Sequence, residues 1–382
     1  MSGEKSTVTA RYYPLNVPEG PLTGYSWERE NPKAVVCIIH GIGEHAARYE
    51  RVASLMREEG IAVLSMDLPG HGLSGGKKGH CSPRERILSF VDELIREAGR
   101  RYPGVPLFLY GHSMGGNIAL DYRRRGELHQ VPEAYIVTSP WILLKKPVPR
   151  PLVRALEVGE RLISQVPVSA GIKPDKLGNK RNYDSQPGKE MLHNVITVST
   201  ALDAIRAGEE ILETEDQGKK LLLMHGTADY ICDIEGSRKL CRISRNCEFV
   251  EWPGYFHEIH NGNKTEDGRE VIRYMIDWIK KQFDKQWKAI GLDDSELQQL
   301  QEQLLLNPQA GAVVEGTGGL RKVRFSANGK GKKGALRVVY VDFAVQEKIY
   351  LIHAYSKSEK DNLSKEERNN IKKLIEYLEK NI

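Results

Sequence analysis

The stretch that most limits what this chain can become is LFLYGHSMGGN at residues 107–117. It opens with an unbroken apolar run, the pattern of a strand covered on both faces. Gly111 ends the run, and a helical pattern begins near Met114. Between them, Gly111-His112-Ser113-Met114-Gly115 spells G-x-S-x-G. In a strand-to-helix turn this pattern forces Ser113 into a tight backbone conformation. The flanking glycines let strand and helix approach with no Cβ between them. The Ser113 hydroxyl then projects from the top of a sheet. The helix N-terminus behind it leaves backbone N–H groups free to face an oxyanion.

The surrounding chain supplies such a sheet. Apolar runs recur at 34–40, 61–67, 134–139, 220–225 and 247–252, with helical patterns between them. A helix at 45–60 is closed by Gly60; one at 83–101 has Ser82 as its expected N-cap and Pro83 in its first turn. Residues 7–27 read as an opening antiparallel pair. This alternation predicts an α/β fold with a mostly parallel sheet. From 140 to 198 the rhythm breaks. Pro147, Pro149 and Pro151 precede Leu152, Leu156, Leu162, Ile163 and Val166. The segment reads as a helical cap over the strand ends, with packed core helices as the alternative. Exposed apolar cap residues suit a greasy substrate or a membrane surface.

A serine hydroxyl is a weak nucleophile until a base takes its proton, and that base needs a carboxylate to hold its tautomer. Asp229 and His257 fit best, each just past an apolar run in a Gly-bearing loop. Asp233 and His260 are the nearest competitors, displaced toward the following helix or loop. His40, His112 and His225 flank strand ends and read as loop-orienting groups. The oxyanion donors are expected to be the N–H of Met114 and, from the Gly-rich loop HGIGEH at 40–45, that of Ile42.

A length of 382 residues favours two domains. The formal net charge of +5 is too mild to imply a nucleic-acid partner by itself. Five cysteines without C-x-x-C fit a reduced cytoplasmic protein better than a disulfide framework. The polar opening MSGEKS lacks the apolar core of a signal peptide, and no apolar run is long enough to span a bilayer. The reading calls for no cofactor and no metal.

Near residue 281 the composition changes. A Gln- and Leu-rich helix is expected at 293–306, then alternating segments at 320–325, 336–343 and 349–355, then a helix at 364–378. The result is a small α+β unit built on an antiparallel meander. From 320 to 340 every charge is basic, with Tyr340, Tyr350 and Tyr355 interleaved. Cations beside aromatics suit a phosphate backbone with stacked bases. A solvated charge run around a Gly-rich loop is the bland alternative.

HGIGEH, DLPGHGLS, GHSMGG, GTADYICD and GYFH together resemble the monoacylglycerol lipase and lysophospholipase branch of the α/β hydrolases, over residues 1 to about 280. The resemblance implies an α/β-hydrolase fold with a cap at 140–198, cleavage of a lipid monoester, and Ser113, Asp229 and His257 as the triad. It also implies Ile42 and Met114 as oxyanion donors. Cys232 matches a cysteine that some monoglyceride lipases carry near the site.

GTGGLRKVRF, GKGKKGALRVVY and AYSKSEKDNLS resemble the RelE/HigB-type toxins of toxin–antitoxin pairs. That resemblance implies a RelE-like domain at 282–382 after a hydrolase domain at 1–281. It implies mRNA cleavage in the ribosome and an antitoxin partner, with Arg321, Lys322, Arg324, Lys332, Lys333, Arg337, Tyr355 and Lys357 as candidates for RNA contact or cleavage. The toxins open with a strand before their first helix. Here that place is held by the hydrolase's closing helix, which runs on with no Gly, Pro or Ser linker. This reads as two domains joined artificially through one shared helix, with a sheet edge left unpaired.

Overall fold

The computed structural model describes residues 10–18, 20–173, 177–213, 218–289, 299–300, 302–304, 306–315, 319–325, 336–343 and 348–356. The chain divides into two compact units, Met1–Asp277 and Trp278–Ile382.

The strands of the first unit are β1 (Arg11–Leu15), β2 (Leu22–Trp27), β3 (Ala34–Ile39), β4 (Ile61–Met66), β5 (Leu107–His112), β6 (Ala134–Thr138), β7 (Pro167–Ser169), β8 (Val195–Thr197), β9 (Lys220–Gly226) and β10 (Cys247–Trp252). Eight of them form one sheet in the order β1-β2-β4-β3-β5-β6-β9-β10. β1, β2 and β4 pair antiparallel; from β4 through β10 every pairing is parallel. Every residue of β3, β4 and β5 is buried. Helices on both faces demand the continuous apolar runs seen in the sequence.

The helices are α1 (Glu50–Glu58), α2 (Arg84–Arg101), α3 (Met114–Arg125), α4 (Arg150–Ile163), α5 (Lys180–Ser185), α6 (Val198–Glu213), α7 (Ile234–Ile243) and α8 (Arg269–Ala289). α2 packs on β3 and β4, α3 on β3, β5 and β6, and α7 on β9 and β10. Gly60, at φ +84°, makes the left-handed turn that ends the α1 segment. Ser82 is not the N-cap of α2. Pro83 holds that position, and the Ser82 hydroxyl donates to Asp203 Oδ2 at 2.7 Å. A half-buried carboxylate on α6 takes the hydroxyl that would have capped the helix.

The cap insertion is mixed rather than helical. It holds α4 and α5, but β7 and β8 pair antiparallel within it, with α5 between them in the chain. The β-branched sequence of β8, VIT, supplies the pairing.

In the second unit the described residues among 299–306 are helical. A sheet follows in the order β11 (Ala312–Val313), β12 (Arg321–Phe325), β13 (Leu336–Phe343), β14 (Lys348–Ser356), all antiparallel. β11 pairs with β12 over two residues, Ala312 with Lys322 and Val313 with Arg321. Leu300, Leu304, Leu320, Val323, Phe325, Val338 and Tyr340 are buried. The helix expected at 364–378 lies outside the described residues. No helix among the described residues is long and apolar enough to cross a membrane.

Candidate active site

The site is built at the C-terminal ends of β3, β5, β9 and β10, the crevice side of an open α/β sheet. Ser113 stands between β5 and α3 at φ 56°, ψ −117°. A non-Gly residue in that region costs on the order of 1–3 kcal/mol. The glycines on either side explain how the turn closes. A Cβ on Gly111 would lie 2.3 Å from the Gly115 carbonyl oxygen, and one on Gly115 would lie 2.1 Å from that of Ile39. The Ser113 N–H donates to Thr138 O at 3.1 Å, and its carbonyl accepts from Asn117 and Trp141 N–H, both at 3.0 Å. The hydroxyl is left to face the crevice.

His257 Nε2 lies 2.9 Å from Ser113 Oγ, and His257 Nδ1 lies 2.7 Å from Asp229 Oδ2. A carboxylate can only accept, so Nδ1 carries the imidazole proton and Nε2 is free to accept from the serine. Asp229 is fully used: Oδ1 accepts from Ile231 and Cys232 N–H at 2.7 and 3.1 Å, and Oδ2 also accepts from His225 Nε2 at 3.1 Å. Burial works against the Asp229 charge, but the two histidines outweigh it and hold the carboxyl below its usual range. Burial likewise works against a charged His257, yet Asp229 raises its basicity above that of an ordinary imidazole.

The competitors fall elsewhere. Asp233 caps α7 by accepting from Glu235 N–H at 3.2 Å. His260 pairs with the Tyr110 hydroxyl at 3.3 Å, stacks on Tyr49, and is pushed by burial down to about 3. The remaining strand-end histidines orient loops. His40 Nε2 accepts from Leu68 N–H at 2.9 Å, His112 Nδ1 meets Thr138 Oγ1 at 3.0 Å, and His225 supports Asp229.

Ile42 and Met114 lie on the loop after β3 and at the start of α3, and neither N–H has an acceptor among the described residues. A Cβ on Gly41 would come within 3.1 Å of Ser113 Cβ, so that loop rests against the serine. A cavity of about 490 Å³ opens from this point. Its walls toward the cap are apolar, with Trp141, Leu144, Val148, Ile172 and Ile205 among them, and Cys232 lines it beside Ser113. Burial pushes the Cys232 thiol well above its usual range, toward the protonated form.

One functional group escaped the sequence. Glu44, Arg48 and Glu258 form a buried ion cluster at the polar end of the cavity. The only sequence signal was a Glu and an Arg spaced i, i+4 just after the Gly-rich loop.

In the second unit, Arg321 shares a face of β12 with buried Val323 and Phe325; Lys322 and Arg324 take the other face. The Arg321 guanidinium donates to the carbonyls of Gly311 and Gln309 at 2.8 and 3.3 Å. Tyr340 is fully buried and its hydroxyl donates to Pro308 O at 2.8 Å, so its ring offers no stacking surface. Arg337 and Tyr355 are register partners across β13 and β14. Lys332, Lys333 and Lys357 lie outside the described residues.

A parallel sheet with a serine at a strand-to-helix turn, bonded to a histidine and a carboxylate on later strand ends, is the arrangement of an α/β-hydrolase-fold serine hydrolase. Residues 30–264 match the family model described as "Serine aminopeptidase, S33", and the chain belongs to that family. Residues 278–381 match the model described as "RelE toxin of RelE / RelB toxin-antitoxin system".

An uncharacterized abhydrolase domain-containing protein of Dictyostelium discoideum is 33% identical over 261 residues, covering 66% of this chain but 27% of its own length. A phospholipase of Bacillus subtilis is 27% identical over 258 residues, covering 66% of this chain and 98% of its own. Among solved structures, the monoacylglycerol lipase of Paleococcus ferrophilus superposes with a TM-score of 0.60 at 27% identity, covering 68% of this chain and 99% of its own.

Proposed function

We infer that the first unit is a carboxylic ester hydrolase that cleaves lipid monoesters through an acyl-enzyme. The observation that carries this reading is the Ser113–His257–Asp229 relay opening onto an apolar cavity. Ser113 Oγ attacks the ester carbonyl carbon as His257 Nε2 takes its proton. The oxyanion is met by the N–H groups of Ile42 and Met114. His257 returns the proton to the leaving alcohol; water then attacks the acyl-enzyme by the same route and releases the acid.

The head group we favour is neutral, as in a monoacylglycerol. Arg48 is the one Lys or Arg among the described residues lining the cavity, and its guanidinium is taken up by Glu44 and Glu258. A phosphate there would meet two carboxylates. The chain is expected to favour monooleoylglycerol over the matched lysophosphatidylglycerol by at least about tenfold in kcat/KM. Equal rates, or a preference for the phosphate, would make it a lysophospholipase.

α4 presents Val158 and Leu162, each about 90% exposed, with Arg154 and Arg161 exposed beside them. This favours docking of the cap on an anionic lipid surface. Repeating the assay in anionic vesicles tests it: Leu162→Asp should slow monooleoylglycerol turnover and spare a soluble ester. An equal effect on both substrates would rule the surface out.

For the second unit we infer a ribosome-directed RNA-cleaving module with an antitoxin partner. The RelE match and the basic face of β12 support it. The full chain added to a cell-free translation reaction should slow synthesis and cut ribosome-bound mRNA. Intact mRNA and unchanged synthesis would leave a RelE-like scaffold without that activity. The converse reading, a toxin module on an inert hydrolase-like scaffold, requires that ester turnover be absent.

A further inference from the structure

Arg48 sits on the short 3-10 turn Ala46–Tyr49, directly after the Gly-rich loop, and is buried. Its Nη1 donates to Glu44 Oε2 at 2.7 Å and to Glu258 Oε1 at 2.8 Å; Nη2 donates to Glu258 Oε2 at 2.9 Å. Its Nε donates to Gln186 Oε1 at 2.6 Å, and the Tyr183 ring lies 5.5 Å from the guanidinium carbon.

Each of these partners belongs to a segment that holds part of the proposed machinery. Glu44 Oε1 accepts from Gly41 N–H at 2.5 Å and from the Tyr49 hydroxyl at 3.0 Å, which closes the turn carrying Ile42. Glu258 follows His257 directly and also accepts from Asn261 Nδ2 at 2.7 Å. Its N–H donates to Leu177 O of the cap at 2.6 Å. Gln186 and Tyr183 are cap residues.

We propose that Arg48 is a positioning residue: its guanidinium fork fixes the Ile42 loop, the His257 loop and the cap against one another, aligning the oxyanion donor with the base. The proposal rests on the hydrolase reading above. A buried ion cluster is a poor source of stability, since desolvation offsets most of the Coulombic gain. Geometric fixation is a better reason for its presence. Only a planar fork reaches both carboxylates and the Gln186 amide oxygen together.

The cluster also acts on the base electrostatically. His257 is faced by Asp229, by the neutral His112 ring at 4.9 Å, by Cys232, and by the Glu44–Arg48–Glu258 group. Burial opposes the Glu258 charge, but Arg48 holds it ionised, and that charge favours the imidazolium.

The test is hydrolysis of a soluble p-nitrophenyl ester by the full chain across pH. Glu258→Gln keeps size and removes charge. We expect kcat lower by about tenfold to a hundredfold, KM within about threefold, and the acid limb of kcat/KM displaced to lower pH. Arg48→Lys keeps charge without the fork and should lose a similar share of kcat. The charge-neutral pair Arg48→Gln with Glu258→Gln leaves one buried acid fewer to compensate, and guards against a folding failure. Its kcat should be no higher than that of Glu258→Gln.

A kcat within about twofold of the parent in Glu258→Gln or in the pair, whatever happens to thermal stability, overturns the proposal. So does a loss carried by KM alone. If the unsubstituted chain neither hydrolyses the ester nor takes a covalent label at Ser113, the hydrolase reading itself has failed.

Discussion

Replacing Ser113 by alanine should lower turnover of a soluble ester by at least about 10³-fold, with the fold intact. The size of the effect follows from the geometry. Ser113 Oγ is the hydroxyl held 2.9 Å from His257 Nε2, and losing it removes the covalent route. Burial pushes the neighbouring Cys232 thiol toward its protonated form. What remains is binding in the cavity and the N–H groups of Ile42 and Met114, which stabilise an oxyanion only once something attacks. Stability should change little, since alanine meets the same positive φ of 56° that serine does. Paired kcat/KM and thermal-melting measurements check both halves. Retained turnover in a folded Ser113→Ala chain would remove Ser113 from the reaction.

The second large effect is expected at Asp229. All four hydrogen bonds to its carboxylate come from donors, two backbone N–H groups and two histidines. An asparagine NH₂ at either oxygen position would face another N–H. Asp229→Asn should therefore release the His257 tautomer and cost roughly 10³–10⁴ in kcat. The pH dependence has a definite sign. His257 must be neutral to act as base, and Asp229 raises its basicity. Activity of the parent should fall as pH drops through a value above the ordinary imidazole pKa of about 6.5. In Asp229→Asn the limb should move to lower pH under a far lower plateau. An unmoved limb would mean that Asp229 does not act on His257.

Stability carries the opposite sign for the two groups. The depressed Asp229 contributes stability above the ordinary carboxyl pKa of about 4, lost as pH falls through its folded value. The raised His257 contributes below the ordinary imidazole pKa, and that share is lost as pH rises through its folded value.

What could be read without coordinates was whatever the backbone encodes locally. Ser113 was legible because G-x-S-x-G fixes a turn and the apolar run before it fixes a strand. Asp229 and His257 followed from their places after β9 and β10. Position after the apolar runs already ranked them above Asp233 and His260; which carboxylate is bonded to which ring is a matter of tertiary contacts. The Glu44–Arg48–Glu258 cluster was invisible for a deeper reason. Its members sit 210 residues apart between Arg48 and Glu258, and a charged residue in a loop sequence is expected in solvent unless a distant partner buries with it.

Ser82 shows the same limit on a smaller scale, where a distant carboxylate overrode a local capping preference. In the second unit, alternation identified β12, β13 and β14. It could not say that Tyr340 packs inward and that Arg321 spends its guanidinium on backbone carbonyls.

Fluorophosphonate treatment of the intact chain, read by peptide mass mapping, asks directly whether Ser113 is the nucleophile. A single adduct is expected, on Ser113, absent from Ser113→Ala. A folded chain that takes no adduct, or takes it on another residue, would contradict that role.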